Sequence, residues 1–308
     1  MLLNFVPTKI NNMKITLTGS LGHIGKPLAT ELVQKGHEVI VISSNPEKQQ
    51  AIEALGATAA IGSLEDVEFL TANFTGADAV YTMVPPANYM DHNLDLPAYC
   101  HRISNNFVAA IQASGVKRVV HLSSIGAHLD HGTGIIIAHH DVEVDLNKLT
   151  DVAITFMRPT SFYYNLFGYV DMIKNAGVIA ANYGADDLIP WVSPIDIAAA
   201  VADEMVTPIA GRKVRYVGSD ELTGHETARI LGEAIGKPDL KWVLISNEQA
   251  QQGLEKAGLQ PSIAAGLVEM YGSLHTGVFS ADYFSNRPAV MGKVKLADFA
   301  KEFAAAFK

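Results

Sequence analysis

The chain has 308 residues, 48% of them hydrophobic and 18% charged, enough for one large domain or two small ones around a sizeable core. Its net charge of −9, from 23 basic and 32 acidic residues, argues against a nucleic-acid-binding surface, which needs a basic face. A single cysteine, Cys100, excludes an internal disulfide and points to a reducing compartment, where it serves most simply as a small buried hydrophobe.

Met1 to Asn12 carries one charged side chain, Lys9, and an apolar run broken by Pro7, too brief for a signal peptide. It reads as a loose extension. No apolar run reaches bilayer-spanning length, so a cytoplasmic protein with no membrane partner is expected. Ile15 to Thr18 predicts a short buried strand. Gly19, Gly22 and Gly25 follow it in a Gly-x-x-Gly-x-x-Gly spacing. His23 to Lys35 then reads as a helix, with Ile24, Leu28, Leu32 and Val33 on one face and Gly36 as its stop. A strand that turns into a helix through glycines makes a phosphate site. Gly19 allows the tight turn, Gly22 lets a pyrophosphate approach the backbone, and Gly25 lets helix and sheet pack closely. The amides of Ser20, Leu21, Gly22, His23 and Ile24 are the expected cradle.

Glu38 to Ser43 is the second strand. An acid at its end would bind a ribose 2′-hydroxyl, and a basic residue nearby would accommodate a 2′-phosphate. Here Ser43, Ser44 and Asn45 stand at that end and Lys48 follows, which tilts the choice from NAD toward NADP. The competing reading is that Asn45-Pro46 simply starts the next helix. Ala57 to Ile61 is the third strand, and Gly62-Ser63 leads through Asp66 into a helix ending near Phe74. Ala77 to Val84 is the fourth strand, ended by Pro85-Pro86. Met83, Val84 and Pro85 fall where a coenzyme meets a strand end, and Asn88 and Tyr89 fall in the loop beyond, on the substrate side. A helix over Asp95 to Ser114 leads to a fifth strand, Lys117 to Ser123, with Ser124 next in line. A helix from about Ile136 to Leu149 and a sixth strand, Val152 to Met157, complete a doubly wound parallel α/β pattern. Arg158-Pro159-Thr160-Ser161-Phe162-Tyr163-Tyr164-Asn165 leaves that strand.

The second half is less regular. Asp196 heads an Ala-rich helix within Val192 to Met205, and Lys213 to Val217 reads as a strand. Thr223 to Ile235 and Asn247 to Ala257 read as amphipathic helices. Phe299, Phe303 and Phe307 recur every four residues and mark a helix packed on one face. The expected division is a dinucleotide-binding core over 13–160 and a smaller α/β capping region over 161–308, packed as one unit. His128, His131, His139 and His140 match no zinc-ligand spacing, and Ser123 lies in no Gly-x-Ser-x-Gly elbow, so neither a metal nor a hydrolase site is expected.

Gly19-x-x-Gly22-x-x-Gly25, Asn45-Pro46-x-Lys48, Gly62-x-x-x-Asp66, Arg158-Pro159-x-x-Phe162-x-x-Asn165 and Val192-Ser193-Pro194-Ile195-Asp196-Ile197-Ala198 together resemble the NmrA-like group of atypical short-chain dehydrogenases. Tyr216-Val217-Gly218 and Gly277-Val278-Phe279 extend the likeness to the type 2 NADPH:quinone oxidoreductases. The resemblance implies a Rossmann-type fold and an NAD(P)H-dependent oxidoreductase that reduces quinone-like or conjugated carbonyl acceptors. It places Ser123, Pro159, Thr160 and Phe162 with the coenzyme and Ser124, Tyr163, Tyr164 and Asn165 near the substrate. It also implies a departure. Typical superfamily enzymes carry Tyr-x-x-x-Lys on the helix after strand five. Aligning Glu143 puts Ile135 at the tyrosine and His139 at the lysine, and a one-residue shift substitutes His140. Ser44 replaces the arginine that the quinone enzymes set beside the 2′-phosphate. The group also includes non-catalytic redox sensors that report to a protein partner, so that reading stays open beside the enzyme. A small-molecule substrate and a homodimer are the other associations to test.

Overall fold

The computed structural model describes residues 12–307, so the N-terminal extension falls outside the described residues except for Asn12. The chain alternates strand and helix through its first half: β1 (Lys14–Leu17), α1 (Gly25–Gln34), β2 (Glu38–Ser43), α2 (Gln49–Glu53), β3 (Thr58–Ile61), α3 (Val67–Phe74), β4 (Ala79–Met83), α4 (Leu96–Ser114), β5 (Arg118–Leu122), α5 (Ile137–Leu146) and β6 (Ala153–Pro159). The second half adds β7 (Ser161–Phe162), α6 (Val170–Ala176), β8 (Val178–Ala181), β9 (Leu188–Val192), α7 (Pro194–Val206), β10 (Arg212–Val217), β11 (Asp220–Thr223), α8 (Gly224–Ala234), β12 (Lys241–Leu244), α9 (Asn247–Lys256), α10 (Pro261–His275), α11 (Ala281–Ser285) and α12 (Leu296–Phe303).

Seven strands form one parallel sheet in the order β10-β6-β5-β4-β1-β2-β3. The chain starts in the middle and winds outward in both directions, which is the doubly wound α/β architecture expected from the sequence. The order reverses between β1 and β4, so a crevice opens at their carboxyl ends. The buried β-branched runs of β1, β2 and β5 explain why these segments are strands covered on both faces. Local chemistry sets the helix starts. Asp66 accepts the Phe69 amide at the head of α3, Asp95 accepts the Ala98 amide at the head of α4, and Pro97 lies in the first turn of α4.

α1 and α7 cover one face of the sheet, with Leu28 and Leu32 in one apolar core with Ile197, Val201 and Met205. α3, α4 and α5 cover the other face. A third core lies in the second half, where Phe299 and Phe303 of α12 pack with Phe167 and Tyr163. That half also builds two small sheets, β11-β9-β7 and β12-β8, which the sequence did not announce. Its α7 and β10 return to the main sheet, so the first and second halves of the chain interlock. The sixth strand runs two residues further than the sequence implied. β10 continues to pair with it through Tyr216↔Arg158 and Val217↔Pro159, so Arg158 and Pro159 belong to the strand.

Candidate functional site

A cavity of about 670 Å³ opens at the crevice between β1 and β4 and extends under the second half. Its first wall is the glycine turn. Gly19 has φ +90°, and a Cβ there would lie 2.9 Å from Met83 Sδ, so both backbone and space demand glycine. A Cβ on Gly25 would lie 2.1 Å from the Ser20 carbonyl oxygen. Gly25 is therefore required by the turn's own backbone, where the sequence reading invoked packing of helix on sheet. Gly22 faces open space, its nearest neighbour being the Gly19 carbonyl at 3.7 Å. Among the described residues, nothing accepts a hydrogen bond from the amides of Gly22, His23 or Ile24, which precede α1. Free amides at a helix start beside a face bare of Cβ fit a phosphate diester.

The strand ends supply the floor. Met83 ends β4 with Val84 and Pro85 after it, Ser123 and Ser124 follow β5, Pro159 ends β6 with Thr160 and Phe162 beyond it, and all line the cavity. Ser123 donates to Glu143 Oε1 at 2.5 Å, so its proton is engaged behind the wall. Arg158 clamps the same carboxylate with Nε at 2.9 Å and Nη2 at 2.7 Å, and its Nη1 donates to Tyr216 at 3.3 Å. This buried pair locks α5 to β5 and β6. From α5 and the turn before it, Ile135 and His139 reach the cavity, as the alignment on Glu143 required. His140 does not line it; its Nδ1 donates to the Ala127 carbonyl at 3.1 Å. Burial pushes the His139 imidazole down to about 4, so it is neutral at pH 7 and offers one hydrogen-bond donor rather than an acid proton.

The roof comes from three segments. Tyr89 descends from the loop after β4, and Tyr164 and Asn165 from the 3-10 helix after β7. The ring of Tyr164 stacks on His23 of the glycine turn, centroids 4.8 Å apart, and joins the first and second halves across the groove. Burial, followed by the nearby Tyr89, pushes the Tyr164 phenol up to about 12, and burial also raises Tyr89, so both hydroxyls stay protonated. The far wall was not foreseen. Leu267, Met270, Tyr271 and Leu274 of α10 line it together with Phe279, Tyr183 and Trp191. Tyr183 and Tyr271 stack with centroids 4.3 Å apart and planes within 4°. Cys100 also borders the cavity, but burial raises its thiol to about 11, which leaves it a hydrophobe.

Other residues named from the sequence lie elsewhere. Tyr163 is fully buried, donates to Asp220 at 2.8 Å and stacks on Phe299, so it belongs to the core and not to a substrate wall. Asn88 is exposed and caps its own turn by accepting the Met90 amide. Ser20 and Leu21 belong to the glycine turn but do not line the cavity, and the Ser20 hydroxyl donates to Ser43 at 2.9 Å. Ser44, Asn45 and Lys48 stand exposed past β2, where the Asn45 carboxamide accepts the Glu47 amide and starts the next turn, as the competing reading had it. Ser63 is likewise engaged, accepting the Glu65 amide, and Gly62 sits under the Phe69 ring. Among the described residues, no three His, Cys, Asp or Glu side chains cluster as metal ligands, and no helix is long and apolar enough to cross a membrane.

Residues 19–204 match the family described as NAD(P)H-binding. The chain is 27% identical to an NAD(P)H azoreductase of Xenophilus azovorans over 95% of its own length and 99% of that protein. Two solved structures share its fold. The triphenylmethane reductase of Citrobacter sp., complexed with NADP(H), superposes with a TM-score of 0.76 at 21% identity, covering 94% of this chain and 99% of that one. An NADPH-dependent quinone oxidoreductase from Escherichia coli gives 0.74 at 22% identity, with the same coverage.

Proposed function

The chain belongs to the NAD(P)H-binding family, and from that membership we propose that it is an NAD(P)H-dependent oxidoreductase passing hydride to quinone-like or conjugated carbonyl acceptors. One observation carries the reading. A single cavity joins the free amides of Gly22, His23 and Ile24 to an aromatic slot, and Ile135, which the alignment on Glu143 sets at the tyrosine position, is among its lining residues.

A bound nicotinamide coenzyme supplies the hydride. Gly19, Gly22, His23 and Ile24 would hold its phosphates; Met83, Val84, Pro85, Ser123, Pro159, Thr160 and Phe162 would flank its nicotinamide half. Lys48, with Ser43, Ser44 and Asn45 and no acid at the end of β2, favours NADP over NAD. His139 gives a neutral N–H, and Tyr89 and Tyr164 give neutral O–H groups, each able to hydrogen-bond an acceptor oxygen. Neither phenol is lowered toward neutrality and His139 carries no imidazolium at pH 7, so none is tuned as the acid that a forming alkoxide calls on. A reduced quinone needs no such donor, because its anion is a delocalised phenolate of pKa about 10, stable enough to form unprotonated and to take its proton from solvent afterwards. Holding ring against ring then supplies most of the catalysis, since positioning alone is worth about 7–11 kcal/mol of barrier at best.

A non-catalytic redox sensor would need the coenzyme groove, but not the aromatic slot beyond it. The deciding assay follows NADPH and NADH consumption with a panel of quinones and of simple ketones. Quinones should turn over, NADPH faster than NADH, with simple ketones inert. Tight coenzyme binding with no acceptor consumed would transfer the protein to the sensor class. Light scattering on the same sample checks the homodimer that is part of this reading.

A further inference from the structure

We infer that the acceptor is uncharged as well as conjugated: the slot takes neutral fused-ring carbonyl compounds and rejects their sulfonated, carboxylated or phosphorylated counterparts. This rests on the reductase reading and narrows its substrate class. Among the described residues lining the cavity there is no Asp, Glu, Lys or Arg. Its polar side-chain groups, all uncharged or imidazole, are the hydroxyls of Ser, Thr and Tyr, the Asn165 amide, the Cys100 thiol, the Trp191 indole N–H and two imidazoles. Of these imidazoles, His139 is neutral and His23 stands on the glycine turn, against Tyr164.

The charges nearest to hand are already engaged. Arg158 lies behind Ser123, with three of its nitrogens given to Glu143 and Tyr216, and it borders a separate surface pocket beside Asp282 and Arg287. α4 begins beside the slot at Leu96, but the Asp95 carboxylate occupies its first-turn amide and would repel an anion. The free amides that suit phosphates are at the opposite end, on the glycine turn, where the coenzyme needs them. The far wall offers rings and thioethers instead: Met270 and Tyr271 from α10, the Tyr183–Tyr271 stack, and Phe279. An anionic substituent entering there leaves water without gaining a cation or a charge-assisted hydrogen bond.

The test pairs naphthoquinone with its sulfonate on the full-length protein saturated with NADP+, with affinity read from quenching of tryptophan fluorescence, and then compares kcat/KM with NADPH. The sulfonate group withdraws electrons and makes the ring the better hydride acceptor, so any preference for the parent must come from the protein. The neutral quinone should bind and turn over roughly 100-fold better or more. Met270→Lys should shrink that ratio by at least about tenfold, by placing one cation on the wall. Equal binding of the two quinones, or binding of neither, overturns the inference. Selective binding of the neutral quinone without turnover leaves the inference standing and removes the reductase reading instead.

Discussion

Gly22 and Gly25 stand in one motif three residues apart, yet they are glycine for different reasons. A methyl group on Gly25 would fall 2.1 Å from the Ser20 carbonyl oxygen, and backbone cannot step aside as a flexible side chain can. A methyl group on Gly22 meets nothing closer than 3.7 Å and fills only the space that a phosphate would approach. Gly25→Ala should therefore lose stability, by about 1–3 kcal/mol as overpacking does, together with coenzyme binding. Gly22→Ala should keep its melting profile while its coenzyme Kd rises about tenfold or more, the two being read by thermal denaturation and calorimetry. A Gly22→Ala protein that binds NADP(H) as well as the parent would mean that the phosphates lie elsewhere. The motif's spacing was legible from the sequence, but the partner of each glycine was not. Likewise Ile135 and His139 could be placed only by assuming a register from Glu143, because the 3-10 turn Gly134–Ile136 precedes α5 and shifts the phase of any helical count.

At the scale of elements, α5 sits where it does because Glu143 is held by Arg158 of β6 and Ser123 after β5, and His139 lies four residues back on the same helical face. Both charged partners are more than nine-tenths buried, so neither tolerates losing the other. Glu143→Leu or Arg158→Met alone should cost about 3–5 kcal/mol in urea unfolding, since each takes the main partner from a buried charge, Arg158 keeping only Asp282 at 3.7 Å as a counter-charge. The double variant should cost much less than the sum, because removing both charges also removes their desolvation. Additive losses would show that the pair is not coupled. The strands of the main sheet were readable because their apolar runs are bounded by glycine and proline. α10 was not. Pro261–His275 is rich in Ala, Gly, Leu and Val, with Glu269 its one acidic residue, so no polar face marks it as a helix. The strands of the small sheets span two to five residues, too few for a period to show.

For the molecule as a whole, the site lies between a sheet whose strand ends the sequence could name and a second half whose placement it could not. Tyr183 and Trp191 reach the cavity from before α7 and β10, and Met270, Tyr271 and Phe279 from beyond them, and no local pattern encodes that convergence. The same enclosure has a global consequence in acid. Burial depresses four histidines: His121 to about 3, His139 to about 4, and His37 and His128 by smaller amounts. Their ordinary value is about 6.5 in an unfolded chain. Between those values the unfolded state binds more protons than the folded one, so stability is full above about pH 6.5 and falls as the pH drops below it. Each of the two most strongly depressed histidines, His121 and His139, contributes a slope of about 1.4 kcal/mol per pH unit across that interval. Asp145 and Glu204, whose carboxyls are held low by Lys148 and by Lys213 and Arg215, add their loss only further down, below about pH 4. Urea midpoints recorded from pH 7 to pH 5 should therefore decline in a window where carboxylates contribute little. His139→Gln should flatten that decline by about one histidine's share, since glutamine keeps a donor but cannot take up the proton. A stability that stays level from pH 7 to pH 5 would mean that water reaches these imidazoles, and the neutral state assigned to His139 would have to be abandoned.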